Sequence, residues 1–225
     1  RPVAFDREVA MRDGRADAEA IFRAGLGRVD PLAMLEQALS LAGNELRVTT
    51  ETGCLTYDLN LFQRIFVLGA GKASARLALG LEGLLGERIT AGVVVVKDGY
   101  LERLSRIRLL EAGHPVPDAR SVAAAEAVMA MAGLAGPDDL VIVLVSGGGS
   151  ALLAAPVEVA GHRLTLADKQ ATTRTLLACG ATIQEMNCVR KKLSAIKGGR
   201  LARAIAPARC LTLVVSDVIG DDLDV

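Results

Sequence analysis

Apolar and polar positions along this chain fall into short apolar runs separated by longer stretches of helical period. The runs Arg64 to Leu68, Ala91 to Val96, Leu140 to Val145 and Cys210 to Val215 predict strands, several of them apolar on both faces, and Ile107 to Glu111 predicts a weaker one. Between them, Ala- and Leu-rich spacing predicts helices from the Gly69 turn to about Leu85, over Ser121 to Ala132 with a cap at Asp118 to Ser121, and from Thr165 to about Cys179. A further helical stretch is expected over Asn187 to Ile205, with Gly198 and Gly199, a costly pair inside a helix, as the candidate interruption. Ahead of the first strand, Asp13 to Leu26 reads as an amphipathic helix, and Asp30 and Pro31 open a second one running to Leu41, which Gly43 and Asn44 end. Thr49 to Asp58 reads as a polar stretch without an element. Strands alternating with helices in this way predict a three-layer α/β/α domain with a mainly parallel sheet. Ligands in such folds bind at the carboxyl edge of the strands, where the loops collect.

Composition narrows the function. With 225 residues, about half of them apolar, the chain can bury a sizeable core. Its 26 basic and 26 acidic residues balance, which argues against nucleic acid or an anionic membrane as a partner. The absence of Trp and the scarcity of Phe and Tyr remove the stacking platform of an oligonucleotide or carbohydrate binder. Cys54, Cys179, Cys188 and Cys210 form no Cys-x-x-Cys pair and read as buried or free thiols rather than a disulfide or zinc framework. No apolar run reaches the length of a membrane span and no signal peptide is visible, so a soluble, cytoplasmic protein is the expectation. The chain stops directly after an acidic loop and reads as cut short.

The most informative segment is Ser146-Gly147-Gly148-Gly149-Ser150, at the end of an apolar strand. Three glycines and two hydroxyls expose backbone N–H groups in the manner of a phosphate cradle, although a glycine turn needing positive φ has the same composition. A second glycine turn, Gly69-Ala70-Gly71-Lys72, is no Walker loop, because Phe66 stands where that pattern needs its first glycine. It nearly fits a dinucleotide fingerprint, with Ser74 in the third small position and Asp98 as the ribose acid. Lys72, at a helix start, fits an anionic substrate or a transferring phosphoryl group equally well. His114, between Gly113 and Pro115, is rigidly placed and reads either as a structural or as a substrate-binding imidazole; His162 has less support. Arg190 to Arg200 concentrates cations, with positions 190, 193, 197 and 200 roughly on one helical face. Such a run reads as a solvated face or, beside a phosphate loop, as a site for ATP phosphates or a carboxylate. Asp217, Asp221 and Asp222 read as an acidic turn or as ligands for Mg²⁺. Together these are the parts of a phosphoryl-transfer site.

The same residues resemble the class II glycerate kinases, also called the glycerate 2-kinase or MOFRL-associated family. The matching segments are Gly69 to Ala73, Gly113 to Asp118, Ser146 to Leu152, Asn187 to Leu201 and Ser216 to Asp221, in order across most of the chain. The resemblance implies an ATP- and Mg²⁺-dependent kinase that phosphorylates D-glycerate, typically at the 2-hydroxyl, as a monomer or homodimer. It also implies a Rossmann-like N-terminal domain over residues 1–225, incomplete at its end, with a smaller C-terminal MOFRL-type domain missing. Lys72 corresponds to the family's proposed active-site lysine, and another basic residue is expected from the missing domain. On this reading Lys72 and Arg190 act on the substrate, His114 and Lys197 bind it, and Gly69, Gly71 and the Ser146, Gly147, Gly148, Gly149, Ser150 backbone approach the phosphates. Asp217 or Asp221 holds Mg²⁺, and the base is unassigned. A hydroxypyruvate reductase, a label some relatives have carried, and a noncatalytic nucleotide-binding module are the alternatives.

Overall fold

The computed structural model describes residues 14–50 and 52–216. Its centre is a five-stranded, wholly parallel sheet of order β10-β7-β4-β5-β6. The strands are β4 (Arg64–Ala70), β5 (Ile89–Lys97), β6 (Ile107–Ala112), β7 (Asp139–Ser146) and β10 (Arg209–Val215). These are the five apolar runs, each extended by one to three residues. Side chains of β4 alternate between two cores. Ile65 and Val67 pack with Leu77, Ala78 and Leu81 of α3 (Ser74–Leu85), while Phe66 and Leu68 pack with Ala124, Ala125 and Val128 of α4 (Ala119–Ala132). Helices on both faces make the expected three-layer α/β/α arrangement, and the alternation explains why the strand is apolar throughout.

The order of the strands matters for function. From β4 the chain winds outward through β5 to β6, then returns to the other side of β4 as β7 and continues to β10. The reversal lies between β4 and β7. Their carboxyl ends separate the loops on either side and leave a crevice, the position where open α/β sheets take ligands.

Three expectations change. The helix begun at Pro31 stops at Ala38 (α2, Pro31–Ala38), and Leu39–Ala42 is strand β1. Gly43 and Asn44 therefore do not end a helix but turn a hairpin into β2 (Glu45–Thr50), which pairs with β3 (Gly53–Asp58) across the stretch read as polar loop. Leu39, Leu46 and Val48 alternate inward from this small sheet and close one core against α3, a tertiary reward that outweighs continuation of the helix. The helix expected over Asn187 to Ile205 is two, α7 (Ile183–Lys192) and α8 (Arg200–Ile205). Gly198 and Gly199 are left-handed, at φ +64° and +80°, and Ser194 between the helices bridges to Pro156. The opening helix α1 (Gly14–Arg28) forms, and Asp30 caps α2 through Leu32 N at 3.0 Å, but α1 buries none of its residues. Asp13 lies outside the described residues. A short helix α5 (Gly149–Leu152), a two-residue hairpin β8 and β9 (Glu158–Val159, His162–Arg163) and helix α6 (Leu166–Ala178) complete the set. All four cysteines are free, and all are exposed rather than buried. Among the described residues no helix is long and apolar enough to cross a membrane.

Candidate functional site

The two glycine turns, 75 residues apart in sequence, are tied together at the crevice. After β4, Lys72 N donates to the Gly147 carbonyl at 2.9 Å and Ala73 N donates to Ser146 Oγ at 3.0 Å. Ser146 Oγ in turn lies 3.1 Å from Ser74 Oγ, and both serines are buried. The hydroxyl of Ser146 is thus occupied in joining the turns and faces inward. Gly71, at φ +149°, lies so close that a Cβ would collide with Ser146 Oγ, which is why the turn needs glycine here. Gly69 crosses β7 just before it, against the Leu144 carbonyl.

On one flank of the triple glycine stand Lys72 and His114. Gly148 has φ +91°, and a Cβ there would lie 2.8 Å from His114 Nε2 and 3.2 Å from Lys72 Cγ. The bare glycine therefore lets the imidazole and the lysine stem approach the loop closely. Partial burial, with Lys72 and Lys97 nearby, holds the His114 pKa below its usual value. The loop carrying the imidazole is braced: a Cβ on Gly113 would lie 2.7 Å from the Val116 carbonyl and 2.9 Å from the Asp118 carboxyl. Asp118 caps α4 through Ser121 N, and Arg120 donates to both Asp118 and Asp98.

On the other flank stand Arg190 and Lys197. Arg190 donates from one terminal nitrogen to Asn187 Oδ1 at 3.1 Å and from the other to Ser150 Oγ at 2.9 Å. Lys197 Nζ donates to the same Ser150 Oγ at 2.8 Å and to the Ser150 carbonyl at 2.9 Å. The two cations meet not by helical spacing, since α7 ends before Lys197, but because the bend at Ser194 folds the chain back. Lys169 of α6 completes the group; its Nζ donates to the Leu193 carbonyl at 3.2 Å, at the end of α7. Burial, reinforced by Arg190, pushes Lys169 down to about 8, and burial with Arg190 and Lys169 pushes Lys197 down to about 7. A cleft of about 870 Å³ opens here, lined by the Ser146 to Ser150 loop, Asn187, Arg190 and Lys197, and among the described residues no carboxylate lines it. Cations crowded together without acidic partners favour an anionic ligand, which would restore their charge.

Asp98 and His162 lie apart from this cleft. Asp98 is held by Arg120 in a two-pronged pair at 2.6 and 2.9 Å, which lowers its pKa. His162 is exposed on β9. Asp217 and Asp221 lie outside the described residues; among those described, no cluster of three or more His, Cys, Asp or Glu forms a metal site. Sequence reasoning did not find Lys169, whose helix α6 has no buried residue and no apolar stripe to single it out. Asn187 stood in a quoted motif without a role; its role is to aim Arg190.

Comparison with known proteins places the chain in a family. The family described as "Domain of unknown function (DUF4147)" matches residues 17–225. The chain belongs to this family. It is 39% identical over 245 residues to the "Glycerate kinase" of Rattus norvegicus, covering all of this chain and 45% of that protein. It is 55% identical over 159 residues to a "Putative hydroxypyruvate reductase" of Agrobacterium vitis, 71% of this chain and 40% of that one. With the "Glycerate 2-kinase" of Pyrococcus horikoshii it shares 41% over 161 residues, 72% of this chain and 35% of that one. A crystal structure from Pyrococcus horikoshii OT3 superposes with TM-score 0.82 at 34% identity, covering 93% of this chain and 45% of that chain. That of the glycerate kinase of Thermotoga maritima gives 0.77 at 36% identity, covering 92% and 45%. The resemblance to class II glycerate kinases read from the motifs therefore holds. The chain of this DUF4147 protein spans less than half the length of these relatives.

Proposed function

We propose that this chain is the N-terminal, Rossmann-like domain of a kinase that transfers a phosphoryl group from ATP to D-glycerate, at the 2-hydroxyl. The observation that carries the reading is the glycine loop Gly147 to Ser150 held at the sheet's reversal between two cationic flanks, Lys72 on one and Arg190 with Lys197 on the other. Both reactants are anions, and transfer through a loose transition state asks the protein for positioning and charge neutralisation more than for covalent chemistry. In this division of labour the loop backbone approaches the phosphates, one cationic flank holds the glycerate carboxylate, and Lys72 stands where charge develops. Mg²⁺ would neutralise phosphate charge when bound, and Asp217 and Asp221 are the residues proposed to hold it. A second domain closing over the crevice would exclude water and add a further basic group. The family names on the relatives, including the 2-kinase, support the substrate and its regiochemistry.

The names on the Agrobacterium vitis relatives favour a second reading, reduction of hydroxypyruvate with a nicotinamide cofactor. Against it, the acid needed for the ribose, Asp98, is engaged by Arg120. Incubating the full-length protein with ATP, Mg²⁺ and D-glycerate, with phosphorus NMR to resolve the products, tests the proposal. The expected product is 2-phosphoglycerate. NADH oxidation by hydroxypyruvate in a parallel sample, without phosphorylated product in the first, would replace the kinase with the reductase.

A further inference from the structure

We infer that His114 takes the proton of the acceptor hydroxyl as that hydroxyl attacks the nucleoside triphosphate. The inference rests on the kinase reading and fills the role left open there. In the step, the hydroxyl oxygen forms a bond to the γ-phosphorus, and the bond from that phosphorus to the bridging oxygen breaks. Its electron pair leaves with the nucleoside diphosphate, and the hydroxyl proton passes to the imidazole.

Four observations point to this residue. First, its place: Nε2 is the atom nearest the position of a Gly148 Cβ, so the nitrogen edge of the ring faces the glycine loop beside Lys72. Second, its availability: among the described residues neither ring nitrogen is engaged in a hydrogen bond, while the neighbouring acids are committed. Asp98 is paired with Arg120, and Asp118 caps α4 and accepts from Arg120. Third, its protonation state: partial burial, with the cationic Lys72 of the first glycine turn and Lys97 at the end of β5, lowers its pKa and so favours the neutral ring that can accept a proton. Fourth, its rigidity: the braced Gly113 to Asp118 loop holds the ring without help from a ligand. Lys197, pushed down to about 7 by burial and its cationic neighbours, already directs Nζ at two oxygen atoms of Ser150 on the opposite flank.

The chain's two histidines, His114 and His162, make the first measurement direct. Imidazole NMR of the 225-residue chain, with His162→Asn to assign the signals, should show His114 titrating below the ordinary imidazole value. A His114 that titrates at or above that value overturns the inference, whatever the activity. The second measurement is the pH profile of kcat/KM in the full-length protein. His114→Asn should lower kcat by about 100-fold with little change in KM and remove the acidic limb. Lys97→Met, which leaves the loop intact, should move that limb to higher pH, and this arm survives if His114→Asn does not fold. A wild-type protein that makes no phosphoglycerate defeats the kinase reading itself. A wild type that does, with an acidic limb unmoved in Lys97→Met or His114→Asn, defeats only the role of His114.

Discussion

At the scale of single residues, the site is defined by cations gathered around the glycine loop, and among the described residues no acid lines the cleft beside Arg190 and Lys197. Lys72 sits on the glycine loop with its stem against Gly148, and its removal should cost transition-state stabilisation and not fold. Lys72→Ala is expected to lower turnover of the full-length protein by about 100- to 1000-fold while leaving the melting temperature of the chain within a few degrees. Unchanged turnover would remove Lys72 from the reaction. The half-buried lysines Lys169 and Lys197 give a pH dependence of definite sign. Lys197 and Lys169 are held at about 7 and about 8 against a usual 10.5, so between those values and 10.5 the unfolded chain binds more protons than the folded one. Their contribution therefore makes the ligand-free fold more stable as pH rises through that window. An anion needs these groups charged, so its affinity runs the other way. Calorimetric titration with pyrophosphate should show affinity falling roughly tenfold or more from about pH 6 to about pH 9. Affinity that is flat with pH would mean the cleft's anion does not meet Lys197.

At the scale of elements, the sheet was legible in the sequence and the hairpin was not. Strands such as Val93 to Val96 and Leu140 to Leu144 are buried on both faces, and a run of that kind has few other readings. In β2 only Leu46 and Val48 alternate inward, and β3 is exposed along almost its whole length, so neither carries a pattern long enough to oppose the helical spacing of the residues before it. The break after α7 was half legible. Two glycines marked it, but the return of Lys197 to Ser150 depends on the bridge between Ser194 and Pro156, which joins segments far apart in sequence. The glycine loops were legible as motifs, whereas their union was not, because it consists of hydrogen bonds from one turn to the other. That union is testable. Ser146→Ala removes the acceptor of Ala73 N and the partner of Ser74 Oγ in a buried setting, which should lower stability by about 1–3 kcal/mol in denaturant unfolding. It should also weaken pyrophosphate binding, since the Lys72 turn loses its anchor. A stable variant with full affinity would show that the backbone bond from Lys72 N to Gly147 holds the turns alone.

At the scale of the whole molecule, the parallel sheet separates what holds the fold from what binds the ligand. The carboxyl ends of β4 and β7 carry the glycine turns, while their first residues, Arg64 and Asp139, stand as partners at the opposite edge. There Arg64 grips the Asp139 carboxylate at 2.6 and 3.1 Å, and Gly136 N donates to it as well. The acid is buried, at 1% side-chain exposure, whereas the arginine is 44% exposed and stacks over Phe66. Arg64→Met keeps the stem packed but strands a buried charge. The expected loss is about 1–3 kcal/mol, toward the low end for a buried pair because half the guanidinium is already in water. Arg64 holds the Asp139 pKa below the usual carboxylate value, so the pair's contribution is present above the unfolded pKa and is lost as pH falls through the folded one. The difference in stability between Arg64→Met and wild type should therefore shrink toward acid pH. Because the lesion lies a strand's length from the crevice, affinity for pyrophosphate at a temperature where both proteins are folded should be unchanged. A parallel loss of affinity would mean that the two edges of the sheet are coupled, and that the crevice depends on the register of β4 against β7 and not only on the loops above it.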